Sequence, residues 1–180
     1  MLNRRFWSRP LAAGASLVML LGVAACSAHP GTAVQVDDTR YSVDQVNEAT
    51  TELSAIEGQP VPPSTVAYIL AMDDSMNELA AENDIKLTDT DIRDLVAGHA
   101  KQAGITLSDL SVKVLRVSNQ HNTLTQKIGP EKVQQQLQKK QAARDIELNP
   151  RYGVIAEDGT FAPPTLTGVL DGRAPVLPAK

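Results

Sequence analysis

The sequence predicts a mainly α-helical fold: about five helices, with a small two-stranded β element joining the N- and C-terminal ends of the domain. Three observations predict it. From Ser42 to about Arg144, apolar residues recur at three- and four-residue steps between capping residues and glycine or proline stops. Aromatic residues make up only 3% of the chain, too few for many strands or a stacking platform. Two short extended runs, Thr32–Val36 and Ile146–Leu148, flank the helical part and are expected to pair.

The elements follow in order. Asp37-Asp38-Thr39-Arg40 reads as a turn. Ser42 and Gln45 make a capping box ahead of Val43, Val46, Thr50, Leu53 and Ile56. Gly58 ends that helix, and Pro60, Pro62 and Pro63 keep it ended. Ser64 or Thr65 caps a second helix with the inner stripe Val66, Ile69, Leu70, Met76, Leu79 and Ala80, closed by Asn83-Asp84. Thr88 caps a third, carrying Ile92, Leu95, Val96 and Ala103, which stops at Gly104. Thr106 or Ser108 opens a fourth, whose stripe Leu110, Val114, Val117, His121, Leu124 and Ile128 is the most regular in the chain. Gly129 ends it, and Pro130 suits the first position of the next helix.

The fifth helix, Glu131 to about Arg144, has only Val133 and Leu137 as large apolar residues among glutamines and lysines. It reads as an exposed helix resting on one narrow edge. Asn149 is extended because Pro150 follows it. Asp158-Gly159, between Val154-Ile155 and Thr160-Phe161, is a hairpin signal. Pro163, Pro164, Pro175 and Pro178 leave an extended tail. The expected organisation is a signal peptide over 1–25, a tether over 26–31, a helical domain over 32–153, and a hairpin with a proline-rich tail over 154–180.

The address comes from the N-terminus. Arg4, Arg5 and Arg9 precede an apolar stretch from Leu11 to Ala25, and Val23-Ala24-Ala25 leads into Cys26, the single cysteine. A basic start, an apolar core and small residues before a cut make a secretory signal peptide. The core is shorter than the roughly 20 residues that cross a bilayer. A cysteine just after the cut resembles the lipobox of bacterial lipoproteins. There the thiol takes a diacylglycerol, with palmitate expected among the acyl chains, and becomes the first residue of the mature protein. A chance cysteine after a non-lipidated signal is the alternative. Two acyl chains hold a protein on a membrane where one does not. The predicted location is the extracytoplasmic face of the cell membrane, attached through the lipid on Cys26.

Charge narrows the partners. Removing Arg4, Arg5 and Arg9 from the 17 basic side chains leaves 14 against 21 acidic ones, a formal charge of −7. An acidic body argues against nucleic acid and against docking on anionic lipid through clustered Lys and Arg. With Cys26 lipidated, no disulfide is expected, and stability must come from packing.

No catalytic signature is found. His99 and His121 lie on apolar helix faces and read as core or core-edge histidines, with no spacing that makes a metal site. Asp73-Asp74 and Asp89, Asp91 and Asp94 lack the glycine and closing glutamate of a calcium loop and read as a solvated face. Neither a nucleophile elbow nor a phosphate-binding glycine loop occurs. The chain is expected to be no enzyme and to need no cofactor. Tyr68, Met72 and Met76 follow at four-residue steps and are the candidate peptide-binding side chains, since Met and Tyr suit adaptable surfaces. Core packing explains the same spacing and is the favoured reading of it.

Leu148-Asn149-Pro150-Arg151-Tyr152-Gly153, after a charged helix and Arg144-Asp145-Ile146-Glu147, resembles a segment of actinobacterial lipoproteins. Those carry a domain similar to the N-terminal, substrate-binding region of the SurA and PrsA foldases. Thr32-Ala33-Val34-Gln35-Val36, then Tyr41-Ser42-Val43, agree with it, as does Ile85-Lys86-Leu87-Thr88-Asp89-Thr90-Asp91-Ile92. The resemblance spans about Thr32 to Gly153. It departs at Asp37-Asp38, where an Asn-Gly turn is usual. Only 27 residues follow Gly153, too few for the parvulin isomerase module. The resemblance implies chaperone-like binding of unfolded secreted polypeptides, in an apolar groove between helices and without isomerase chemistry. The alternative is an adaptor that binds one envelope partner. Arg151 and the Tyr152 hydroxyl are expected to anchor the return segment to the helices.

Overall fold

The computed structural model describes residues 31–164. Cys26, the signal peptide, the tether up to residue 30 and the tail from residue 165 lie outside the described residues. The order is β1 (Thr32–Val36), β2 (Thr39–Ser42), α1 (Val43–Glu57), α2 (Pro63–Ala71), α3 (Asp73–Glu82), α4 (Asp89–Ala103), α5 (Asp109–Ile128), α6 (Pro130–Gln141), β3 (Ile146–Leu148), β4 (Val154–Ile155) and β5 (Phe161–Ala162). The fold is mainly helical, as expected.

The β element has three strands and not two, in the order β2-β1-β3. The expected pairing of the two flanking runs is present, with Val34 opposite Leu148 and Val36 opposite Ile146 in antiparallel register. The addition is β2. The turn is only Asp37-Asp38, with Asp37 at a left-handed φ of 50°, which Asp tolerates better than most residues. Thr39 and Arg40 then pair with Val36 and Gln35. Strand β1 is therefore central, and its buried residues Ala33, Val34 and Val36 face the helices.

Six helices replace the five predicted, because the second one breaks at Met72. Its φ of −92° and ψ of −9° interrupt the helix, and its N–H reaches back to Tyr68 and Ile69 carbonyls. Asp73 and Asp74 then stand in the first turn of α3, where carboxylates favour the helix dipole. The cap of α2 also differs. Pro62 is the cap and Pro63 the first helical residue, a position at which proline has no hydrogen bond to lose. The other caps stand where the residues put them. Ser42 with Gln45, and Thr88 with Asp91, form complete capping boxes, Ser108 caps α5, and α1 and α4 end at Gly58 and Gly104.

Helix α5 runs through the middle, and every other helix packs on it. Glu52 of α1 accepts from the Ser108 N–H at 2.9 Å and from the Ser108 and Ser111 hydroxyls, fixing the start of α5. Helix α6 buries Val133, Leu137 and Gln141, the narrow edge expected. Another of its faces is tied to α3: Lys140 pairs with Glu78 and Glu82, and Arg144, just beyond α6, pairs with Asp37 and Glu78. Helix α4 lies outermost. It buries only Ile92, and Leu95 of its predicted stripe is 62% exposed.

The return segment is anchored differently from the expectation. Asn149 does it: its N–H donates to the Ala33 carbonyl, its side-chain amide donates to the Thr32 carbonyl at 3.0 Å, and its Oδ1 accepts the Arg151 N–H. The Tyr152 ring is 5% exposed and packs in the core with β1, α1 and α2. Arg151 is exposed and lies over that ring, 6.0 Å from its centroid. Packing of the ring, and not a polar anchor from Arg151, holds Tyr152.

Candidate functional site

A cleft of about 650 Å³ opens between α2, α5, α6 and the β4–β5 hairpin. Tyr68, Ile69 and Met72 form the α2 wall, Val117 and His121 the α5 wall, and Leu137, Gln138 and Gln141 the α6 wall. Thr160 and Phe161 close one side from the hairpin. The Phe161 ring stacks on Tyr68, with centroids 4.4 Å apart and planes 30° apart. Burial raises the Tyr68 hydroxyl above the ordinary tyrosine pKa. The lining mixes apolar side chains with amides and hydroxyls, among them Ser118, Asn122 and Gln134. Such a surface takes apolar side chains while hydrogen-bonding a peptide backbone, the mixture usual in binding clefts.

The cleft exists because α6 is poor in large apolar residues. Gly129 and Pro130 turn the chain sharply, so α6 folds back beside α5. Val133 and Leu137 reach the core, and the glutamines between them point elsewhere. The space they leave is bounded, on the α2 side, by Tyr68, Ile69 and Met72.

Of the three candidate peptide-binding residues, the structure brings two to the cleft. Tyr68 and Met72 line it, whereas Met76 is fully buried among Leu79, Val117, Leu124 and Leu137. Their common stripe assumed one continuous helix. The break at Met72 separates Met76 from the cleft-facing residues of α2. His99 and His121 are both exposed and not core histidines; His121 stands at the cleft and His99 on the outer helix α4. The site also uses residues to which the sequence assigned no binding role: Phe161, Leu137, Gln138 and Gln141. Phe161 was within reach of sequence reasoning, as one of few aromatics and next to a turn signal.

A second polar group is structural. Asp73 is 3% exposed, not on a solvated face. It accepts from Lys113 Nζ at 2.8 Å, Arg116 Nη2 at 3.1 Å and Asn77 Nδ2 at 2.9 Å. Lys113 also donates to the Tyr41 hydroxyl at 3.3 Å. Burial raises the Tyr41 pKa, and Lys113 offsets only part of that rise. Burial pulls the Lys113 pKa down, but Asp73 and Tyr41 outweigh it and leave the ammonium above its ordinary value. This group pins α3 to α5.

Among the described residues, no cluster of three His, Cys, Asp or Glu side chains is placed to hold a metal ion. No helix there is long and apolar enough to cross a membrane. Comparison with protein-family models, with curated proteins and with solved structures finds no match to this chain.

Proposed function

We propose that this protein is a membrane-anchored lipoprotein that holds segments of exported polypeptides in the α2–α5–α6 cleft, without catalysis. The cleft carries the reading. Its apolar members, Tyr68, Ile69, Met72, Val117 and Leu137, accept side chains, and its amides and hydroxyls serve backbone groups of any sequence. That chemistry is tolerant of sequence, as a holder of unfolded chains requires. The lipobox at Cys26 and the resemblance of the Leu148–Gly153 segment to foldase-type lipoproteins support the same reading. The lipid on Cys26 keeps the cleft close to the membrane across which exported chains emerge.

The test uses the soluble fragment from Ser27 to Lys180, without the lipidated cysteine, and a denatured secreted protein. Light scattering should fall as the chain is added. No suppression at several-fold molar excess overturns the reading. Crosslinking to one dominant envelope protein, without general suppression, would replace it with the adaptor. Labelling with radioactive palmitate checks the anchor: it should be lost in Cys26→Ala.

A further inference from the structure

The β4–β5 hairpin is lightly held. Each strand has two residues, and a lone two-stranded hairpin is marginal in water. Among the described residues, one hydrogen bond joins it to the helices, from Gln138 Nε2 to Thr160 Oγ1 at 3.5 Å, beyond the usual range. Shape seats it instead. At its base Gly153, with a φ of 132°, comes so close to β5 that a Cβ would lie 2.5 Å from the Ala162 carbonyl oxygen and 2.6 Å from the Phe161 ring. At its turn Gly159 presses on α6, where a Cβ would lie 2.6 Å from the Gln138 carbonyl oxygen. Phe161 covers Tyr68.

Gln141 sits beneath that turn. A Cβ on Gly159 would be 3.2 Å from its own Cβ. Gln141 is 3% exposed and lines the cleft, and among the described residues its buried Nε2 has no hydrogen-bond partner. A buried donor left unpaired destabilises the arrangement that buries it. The seated hairpin thus supplies a ring for Tyr68 but no acceptor for Gln141.

We propose that the hairpin occupies in cis a place that an incoming polypeptide takes, with a planar apolar side chain replacing Phe161 on Tyr68 and a backbone carbonyl accepting from Gln141 Nε2. This rests on the polypeptide-binding reading of the cleft and names the group in the ligand that the cleft selects. The hairpin swings out about Gly153, and the ligand satisfies the donor that the closed form leaves unpaired. The ring stack and the hydrogen bond act together, so ligands with only one of the two compete poorly with the hairpin.

The probe is a fluorescein-labelled peptide with the sequence of residues 157–164, Glu-Asp-Gly-Thr-Phe-Ala-Pro-Pro, added in trans to the full chain in detergent. Anisotropy should show binding to Phe161→Ala about tenfold tighter than to the unaltered chain. Gly153→Ala, which unseats the hairpin while leaving the α2, α5 and α6 walls of the cleft unaltered, should show the same gain, and it decides the matter if Phe161→Ala does not fold. A peptide with Ala in place of its Phe should lose the gain. Adding Gln141→Leu to Phe161→Ala should weaken binding about three- to tenfold, while Gln141→Leu alone leaves the melting temperature unchanged or raises it. Equal binding by the unaltered chain and both variants overturns cis occupancy and leaves the polypeptide reading standing. No binding by any of them, with aggregation still suppressed, overturns the inference alone. No binding and no suppression remove both.

Discussion

At the sheet end of the molecule, β1 lays Ala33, Val34 and Val36 on α1 and α2, and Tyr41 and Tyr152 fill the remaining space, all nearly excluded from water. At the α6 end, the facing helix contributes Val133 and Leu137 and little else of size, so a cleft remains and a two-residue strand covers part of it. Both ends share α2 and α5. The difference lies in what is brought against them. A surface closes when both partners present apolar area. Where one partner is rich in glutamine, the groove stays open and lined with hydrogen-bonding groups. The closed end buries its apolar surface, and the open end keeps the cleft.

The strongest way to break this division is at the junction between the two ends. Asp73→Ala leaves Lys113 without a carboxylate and Arg116 with Asp89 alone, and should lower unfolding stability by about 3–4 kcal/mol, read by urea denaturation. Next comes Met76→Ala, which removes a fully buried side chain beside the cleft and should cost about 3 kcal/mol. Binding of the residue 157–164 peptide to the folded variant should not change, because Met76 lies outside the cleft; a specific loss would put it back in the site. Asn149→Ala loses the bond to the Thr32 carbonyl at the closed end and should cost about 2 kcal/mol by the same measurement.

Alkaline titration probes both ends together. Tyr41, Tyr68 and Lys113 all have folded-state pKa values above their ordinary ones. Stability from a raised pKa is complete below the unfolded value, about 10, and is lost as the pH climbs through the folded value. The urea midpoint should therefore fall as the pH climbs past about 10. Tyr68→Phe removes the cleft's share of that fall and leaves the share of Tyr41 and Lys113; an unchanged slope would contradict the assignment. The smallest effect is expected from Tyr152→Phe, within about 0.5 kcal/mol, because the ring and not the hydroxyl does the packing. A larger loss would restore the polar anchor.

Much of the fold was legible because its signals are local. A capping box such as Ser42–Gln45 or Thr88–Asp91 closes within one turn, and both stand where the residues place them. The pairing of Thr32–Val36 with Ile146–Leu148 was legible from two short runs that needed a partner. The break at Met72 was not. It sits beside Asp73, whose partners Lys113 and Arg116 are some forty residues away, and no periodicity in α2 or α3 records them. Strand β2 was hidden for a related reason: Thr39 and Arg40 are polar and exposed, and only pairing with a central β1 makes them a strand. Of the candidate trio, Tyr68 and Met72 line the cleft, and Met76, beyond that break, lies in the core.

By itself, the sequence determined the starts of α1, α4 and α5, the stops at Gly58, Gly104 and Gly129, the pairing of the chain's two flanking runs, and the narrow apolar edge of α6. Those depend on hydrogen bonds and side-chain spacing within a few residues. The tertiary structure alone decided that α2 and α3 part at Met72, that Asp73 is buried among cations, and that His99 and His121 are exposed. It also decided that Phe161 covers Tyr68 and that Gln141 Nε2 is left without a partner beneath the hairpin. Burial and polar satisfaction depend on residues distant in the chain, so the cleft appears only when α2, α5, α6 and the hairpin meet.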